Sequence, residues 1–306
     1  MRTAILDIGT NTVLLLVVET VGEQLRILRD DHAIARLGEG VDRTKVISEE
    51  AYSRFREVIR KHRATIRALR VEQVVAVGTS ALRDAKNRDE IVHRAKTDVG
   101  LDIEILTGED EARWGYAGAL FGMEDVLDAA VIDIGGGSTE ISFGDGKQFQ
   151  RGVSLDIGAV RITERFFTTI PVPSETIEAA RAAIRAELQR LEVQELPREL
   201  RGPFIAVAGT PTTLAAIHQG LDQFDPVKVQ DYTLVREAVD QMLDMLLRTE
   251  TARVLEHYPV VNKARADILP AGTLILQEAM EYLAAEEVRV SAHGLRYGIA
   301  MRELHM

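Results

Sequence analysis

The feature that most constrains this chain is that it repeats itself. Ala4-Ile5-Leu6-Asp7-Ile8-Gly9-Thr10-Asn11-Thr12 is echoed by Ala130-Val131-Ile132-Asp133-Ile134-Gly135-Gly136-Gly137-Ser138-Thr139, so Asp-Ile-Gly returns 126 positions later. Val74-Val75-Ala76-Val77-Gly78-Thr79-Ser80 has its partner in Phe204-Ile205-Ala206-Val207-Ala208-Gly209-Thr210, in which Gly-Thr returns 131 positions later. Two echoes in the same order at nearly the same spacing indicate duplication, and duplication restricts the fold to two similar bodies with a cleft between corresponding loops. In each copy an apolar run reads as a buried strand, the Asp closes it, small residues turn the chain, and a second apolar run completes a hairpin. The first return strand runs through Val13 to Glu19 and turns near Gly22; the second covers Ile141 to Phe143 and turns at Asp145-Gly146.

Helical stripes fill the intervals. Ser48 is a good N-cap for a helix burying Tyr52, Phe55, Ile59, Ile66 and Leu69. Ser174 is expected to start another, with Ile177, Ile184, Leu188 and Leu191 inward, and Thr233 to cap a third bearing Val235, Val239, Met242 and Leu246. Strands alternating with such helices predict an α/β protein of mixed sheets flanked by helices, one sheet per half. The first domain is expected over residues 1–125 and the second over 126–292. The last segment, Val288 to Met306, reads as strand, glycine turn and helix.

The remaining composition narrows the function. A length of 306 residues fits two domains at roughly 150 residues each. Without a single cysteine the chain has no disulfide, thiol nucleophile or thiolate metal site, and a cytoplasmic setting is the economical expectation. The N-terminus lacks the pattern of a signal peptide, and no apolar run reaches the roughly 18 residues of a membrane span. A formal net charge of −11 argues against a nucleic-acid partner, because phosphate backbones repel acidic surfaces. A small or narrow polyanion needs only a local cluster of donors.

Such clusters are present. Gly135-Gly136-Gly137-Ser138-Thr139 lets backbone N–H groups point inward and an anion approach closely. Gly78-Thr79-Ser80 and Gly209-Thr210 offer further donors, and Arg83, one helical turn beyond the first, could fork onto phosphate or pair with Asp84 or Glu111. Asp7, Asp133 and Glu140 are carboxylates of the kind that bind Mg²⁺ or its waters beside a phosphate. Gly108-Glu109-Asp110-Glu111-Ala112-Arg113 opens a helix after the strand Ile103 to Leu106; spacing alone leaves its acids open between helix-terminus stabilisers and a base for water.

Taken together, Asp7 to Thr12, Gly78 to Ala85, Glu109 to Arg113, Asp133 to Glu140, Gly209-Thr210-Pro211-Thr212-Thr213-Leu214 and Gly294-Leu295-Arg296-Tyr297-Gly298 resemble the exopolyphosphatase and guanosine pentaphosphate phosphohydrolase family. The resemblance implies two ribonuclease H-like domains of the actin and sugar-kinase type, and hydrolysis of a terminal phosphate from inorganic polyphosphate or guanosine pentaphosphate. It implies Glu111 as the water-activating residue and Asp7, Asp133 and Glu140 as holders of Mg²⁺ or another divalent cation such as Mn²⁺. It implies a phosphate site of Thr10, Asn11, Thr12, Thr79, Ser80, Arg83, Gly135, Gly136, Gly137, Ser138, Thr139, Gly209 and Thr210. It also implies that the C-terminal helix, about 293–306, returns to the first domain, and that the chain is the short, two-domain form, expected as a homodimer. One departure is Ala208-Gly209, where many members have two glycines. A kinase or chaperone-like ATPase of the same fold, and a non-catalytic polyphosphate or nucleotide sensor, are the competing classes.

Overall fold

The computed structural model describes residues 1–22, 24–123, 126–197 and 200–305. The first half contains β1 (Arg2–Ile8), β2 (Thr12–Val21), β3 (Gln24–Ile34), α1 (Val41–Thr44), α2 (Glu49–Ala68), β4 (Gln73–Gly78), α3 (Ser80–Asp84), α4 (Arg88–Val99), β5 (Glu104–Ile105) and α5 (Gly108–Ala119). The second contains β6 (Ala130–Ile134), β7 (Thr139–Asp145), β8 (Gln148–Leu155), α6 (Ala159–Arg165), α7 (Ser174–Leu188), α8 (Arg190–Val193), β9 (Phe204–Val207), α9 (Gly209–His218), α10 (Pro226–Val229), β10 (Tyr232–Val235), α11 (Arg236–Arg248), α12 (Thr251–His257), α13 (Leu269–Tyr282), β11 (Glu287–Val290) and α14 (Leu295–Glu303). The expected junction between residues 125 and 126 falls on Glu124 and Asp125, which lie outside the described residues.

The duplication is visible in the sheets. One runs β3-β2-β1-β4-β5 and the other β10-β11-β9-β6-β7-β8, so β6, β7, β8 and β9 repeat β1, β2, β3 and β4. In both, the first three strands are antiparallel and the crossover strand pairs in parallel with the first. The two are mixed-sheet α/β domains flanked by helices, as the pattern predicts.

Strand alternation decides which way the site faces. Ala4, Leu6 and Ile8 pack with the α2 and α4 core, whereas Ile5 packs with Leu295, Tyr297 and Ile299 of α14. Asp7 shares the parity of Ile5. In the second sheet Ile132 and Ile134 join the outer core, and Val131 joins Tyr116, Ala119 and Leu120 at α5. Asp133 shares the parity of Val131. Both aspartates therefore lie on the sheet faces covered by α5 and α14, because successive strand residues alternate between faces.

Helix α14 follows the last strand of the second sheet yet packs against β1, β2 and α5. It crosses α5 at near backbone contact: a Cβ on Gly298 would stand 1.8 Å from the Trp114 carbonyl oxygen, and one on Gly118 would stand 2.0 Å from that of Gly294. Gly298→Ala is therefore expected to cost about 1 to 3 kcal/mol, typical of overpacking, or more because backbone must move. Urea denaturation checks this; an unchanged midpoint would show that the crossing tolerates a methyl group.

Of the three expected helix starts, two hold and one differs. Ser48 caps α2 by accepting from the Ala51 N–H, a contact worth about 1 kcal/mol. Helix α7 begins at Ser174, as expected, with Pro173 at the cap position. Thr233 lies in the edge strand β10, paired with Arg289, and Val235 precedes α11. A four-residue strand too short to show its own periodicity was masked by the stripe that follows it.

Candidate active site

The small-residue turns between β1 and β2 and between β6 and β7 meet tip to tip. A Cβ on Gly137 would lie 2.5 Å from Ser80 Oγ and 2.7 Å from Thr10 Oγ1, and one on Gly136 would lie 3.3 Å from the Asn11 nitrogen. Three loops from two sheets thus converge without space for a side chain. Together they bound a cavity of about 890 Å³. Fourteen of the residues singled out in the sequence line it: Asp7, Thr10, Asn11, Thr12, Thr79, Ser80, Glu111, Asp133, Gly135, Gly136, Gly137, Ser138, Gly209 and Thr210. Among the described residues, the N–H groups of Gly136, Gly137 and Ser138 donate to no other part of the chain.

Arg83, Thr139 and Glu140 do not line this cavity. Arg83 donates from Nη1 to Glu111 Oε2 at 2.7 Å and to the Leu106 carbonyl at 3.2 Å, so its fork is directed at protein acceptors. The Glu111 pairing, one of the two options left open by the sequence, is the one formed. Arg83 Nη2 also reaches Ser154 Oγ, which donates to Glu140 Oε1 at 2.6 Å. Glu111, Arg83, Ser154 and Glu140 form one polar layer at and just behind the cavity wall. Ser154, on β8, had no sequence signal.

Glu111 occupies the first turn of α5, whose N-cap Thr107 accepts from the Asp110 N–H. Because α5 packs against β6, β7, β8 and β9 of the second sheet and against α14, which itself lies on β1 and β2, it carries Glu111 into the space between the two sheets. The result is three buried carboxyls, Asp7, Glu111 and Glu140, and a half-buried one, Asp133, around one region. Burial pushes Asp7 up to about 7, with the charges of Glu111 and Asp133 adding to it. Asp133 is likewise raised to about 7 by burial and then by Glu111. Burial raises Glu111, while its ion pair with Arg83 pulls the other way. Glu140 lies well above the usual carboxylate range through burial and the nearby Glu111 and Asp133.

Asp7, Asp133 and Glu140 do not converge on one point: no group of three or more His, Asp or Glu among the described residues closes into a metal-binding cluster. The strands explain this. Asp7 and Asp133 end strands of different sheets, and Glu140, directly across from Asp133 in register, is turned to Ser154. The donor set nonetheless suits a hard cation, since Mg²⁺ is usually held by one or two carboxylates plus phosphate oxygens and water. Asp7 and Asp133 face the cavity and accept no hydrogen bond from the described residues, leaving their charge for an external partner.

Positive charge comes from residues the sequence reading did not single out individually. Arg296 lines the cavity but is committed to Asp30 through two 2.9 Å contacts. Arg265 also lines it, donates to Thr12 Oγ1 at 3.2 Å, and has no carboxylate partner among the described residues. Burial and the nearby Arg296 lower its pKa. It lies in a turn far from any glycine motif; only folding brings it beside Thr12 and Gly209. At the second Gly-Thr loop, Ala208 takes φ +80°, a conformation that costs an L residue about 1 to 3 kcal/mol. The chain is strained where a glycine would relax.

Comparison with known proteins places this geometry. A model of the Ppx/GppA phosphatase family matches residues 16–306. Exopolyphosphatase 2 of Mycobacterium tuberculosis is 32% identical over 320 residues, covering 98% of this chain and 98% of the relative. A bifunctional 3-dehydroquinate synthase/phosphatase of Fusobacterium nucleatum is 29% identical, over 94% of this chain but only 44% of its own length. The crystal structure of the Aquifex aeolicus Ppx/GppA family member superposes with a TM-score of 0.83 at 30% identity, covering 100% of this chain and 98% of that one.

Proposed function

The chain belongs to the Ppx/GppA phosphatase family and is a phosphoanhydride hydrolase, and from that premise we propose that it is an exopolyphosphatase, removing the terminal phosphoryl group of inorganic polyphosphate. The observation that carries the proposal is the meeting of three small-residue loops with unpaired N–H groups around a cavity into which Glu111 projects.

In this reading the N–H groups of Gly136, Gly137 and Ser138 and the hydroxyls of Thr10, Thr79, Ser80 and Thr210 hold the terminal phosphates, and Arg265 supplies an uncommitted guanidinium. Glu111 accepts the proton of the attacking water. Burial raises its pKa and with it its basicity, while the Arg83 contact opposes that shift and fixes the side chain. Water attacks phosphorus as the bond to the bridging oxygen breaks, releasing orthophosphate and a chain one unit shorter. Catalysis of this kind rests on positioning and electrostatics. Asp7 and Asp133 would hold Mg²⁺, which when bound supplies charge neutralisation at the phosphoryl oxygens. Residues 1–125 with the 293–306 helix would form one jaw, and residues 126–292 the other.

A second reading has its own support. Beyond the loops the cavity continues along Ile27, Phe224, Val227, Val260 and Ile268, an apolar wall with room for a nucleoside. That wall favours guanosine pentaphosphate as an alternative substrate carrying the same phosphoanhydride end. The deciding experiment is Mg²⁺-dependent phosphate release from polyphosphates of several lengths alongside the guanine nucleotide. Faster turnover of the nucleotide at equal concentration would replace the first reading by the second; release from neither would overturn both.

Arg265→Gln tests the cation. Loss of a charge-assisted phosphate contact of about 1.5 to 3 kcal/mol is expected to raise KM roughly 10- to 100-fold. An unchanged KM in steady-state assays would remove Arg265 from the phosphate site.

A further inference from the structure

The three glycines of the β6-β7 turn are held from behind by a single short segment. The Ala159 N–H donates to the Gly135 carbonyl at 2.9 Å, and those of Val160 and Arg161 donate to the Gly136 carbonyl at 2.8 and 3.1 Å. The Gly137 carbonyl is taken by Arg161 Nε at 2.6 Å. In a trans peptide the carbonyl and the following N–H point in opposite directions. Pinning these three carbonyls onto residues 159–161 therefore turns the N–H groups of Gly136, Gly137 and Ser138 the other way, toward the cavity that these residues line. Backbone N–H donors serve the first two carbonyls, and a side chain serves the last.

The same side chain reaches across the cleft. Arg161 Nη1 donates to Asp42 at 2.5 Å and Nη2 to Asp84 at 2.5 Å, both in the first half, and the residue is only 5% exposed. Asp84 adjoins Arg83, which holds Glu111. All three nitrogens of one guanidinium are thus committed to three elements, the glycine loop, α1 and α3. Arg165 reaches Asp42 as well, at 2.5 Å, but touches no loop carbonyl.

We propose that Arg161 is a positioning residue for phosphoryl transfer: it fixes the Gly137 peptide so that the Ser138 N–H faces the substrate, and ties that orientation to the half of the molecule that carries Glu111. The proposal rests on the reading of the glycine loop as the phosphate cradle. The planar fork is required, because an ammonium in its place can sit between Asp42 and Asp84 but cannot also present a fixed third donor to the Gly137 carbonyl.

The test compares Arg161→Lys, Arg161→Gln and Arg165→Gln, with polyphosphate and Mg²⁺ for kinetics and inorganic phosphate as the probe for ¹⁵N amide shifts. Arg161→Lys is expected to stay folded and to lose kcat/KM on the order of 10²-fold, the scale of a displaced oxyanion donor; Arg161→Gln should lose at least as much. Arg165→Gln, which weakens only the Asp42 bridge, should keep the wild-type value. Phosphate-induced shifts at Gly137 and Ser138 should be present in the wild type and absent in Arg161→Lys. Rescue of kcat/KM by lysine to within twofold, or equal losses in the Arg165 variant, would reduce Arg161 to a brace and overturn the proposal. Should Arg161→Gln fail to fold, Arg161→Lys decides alone. Should the wild type release no phosphate from either substrate, the functional reading fails, and the amide shifts still decide the role of Arg161.

Discussion

Glu111→Gln is expected to lower turnover by about 10²- to 10⁴-fold, the usual contribution of a positioned general base, while polyphosphate still binds. The amide keeps the size of the side chain and can still meet Arg83, so the fold should survive. What it loses is the ability to take a proton. The expectation is sharp because Glu111 is the one carboxyl of the four that both lines the cavity and is held by a cation, at 2.7 Å from Arg83 Nη1. Asp7 and Asp133 also line the cavity, but without such an orienting contact. Direct measurement of phosphate release, with KM followed separately, checks it. Turnover within a factor of two of wild type would mean that another group activates the water.

The second large effect concerns stability in the absence of a divalent cation. Asp7 and Asp133 have ordinary pKa values near 3.8 in the unfolded chain and about 7 in the fold. Between those pH values the folded state binds more protons than the unfolded state, so stability must fall as pH rises through that window. At about 1.4 kcal/mol per pH unit for each group, the penalty reaches several kcal/mol by neutral pH. Asp133→Asn removes one charge of this set. In EDTA it is expected to unfold at a higher urea concentration than wild type at pH 8, with the difference shrinking to little at pH 4. Mg²⁺ should stabilise the wild type more than the variant, since a ligand bound to the native state alone shifts the equilibrium by mass action. A wild-type midpoint independent of pH from 5 to 8, or a variant less stable than wild type throughout, would remove the charge-repulsion argument. Activity should fall in the same variant, which separates this function-for-stability conflict from simple core damage.

The balance between sequence and structure follows from the range over which each physical cause acts. Strands, hairpin turns and glycine loops are specified locally, by alternation, small residues and carboxylates within a few positions, and duplication supplied each signal twice. That is why Asp7, Asp133 and the loop residues were legible and why both sheets share the order that the echoes imply. The acidic run at Glu109 to Glu111 was legible as a helix start but not as a base, because any helix favours acids in its first turn. Only the packing of α5 between the second sheet and α14 makes Glu111 different from Glu109 and Asp110, by burying it against Arg83.

Other assignments depended wholly on tertiary structure. Arg83 looked like a phosphate ligand from its position after Gly78-Thr79, and the fold turns it to Glu111 instead. Arg265 and Arg161 stand in ordinary helical or turn sequence, and become relevant only because distant segments bring them to Thr12 and to the Gly137 carbonyl. The sequence by itself determined the duplicated α/β architecture and the loops that face the cleft, since backbone periodicity and turn chemistry are written in neighbouring residues. Only the tertiary structure decided which charges are paired, which remain free and which carboxyls are held near pH 7, because pairing and desolvation belong to residues that meet across the fold.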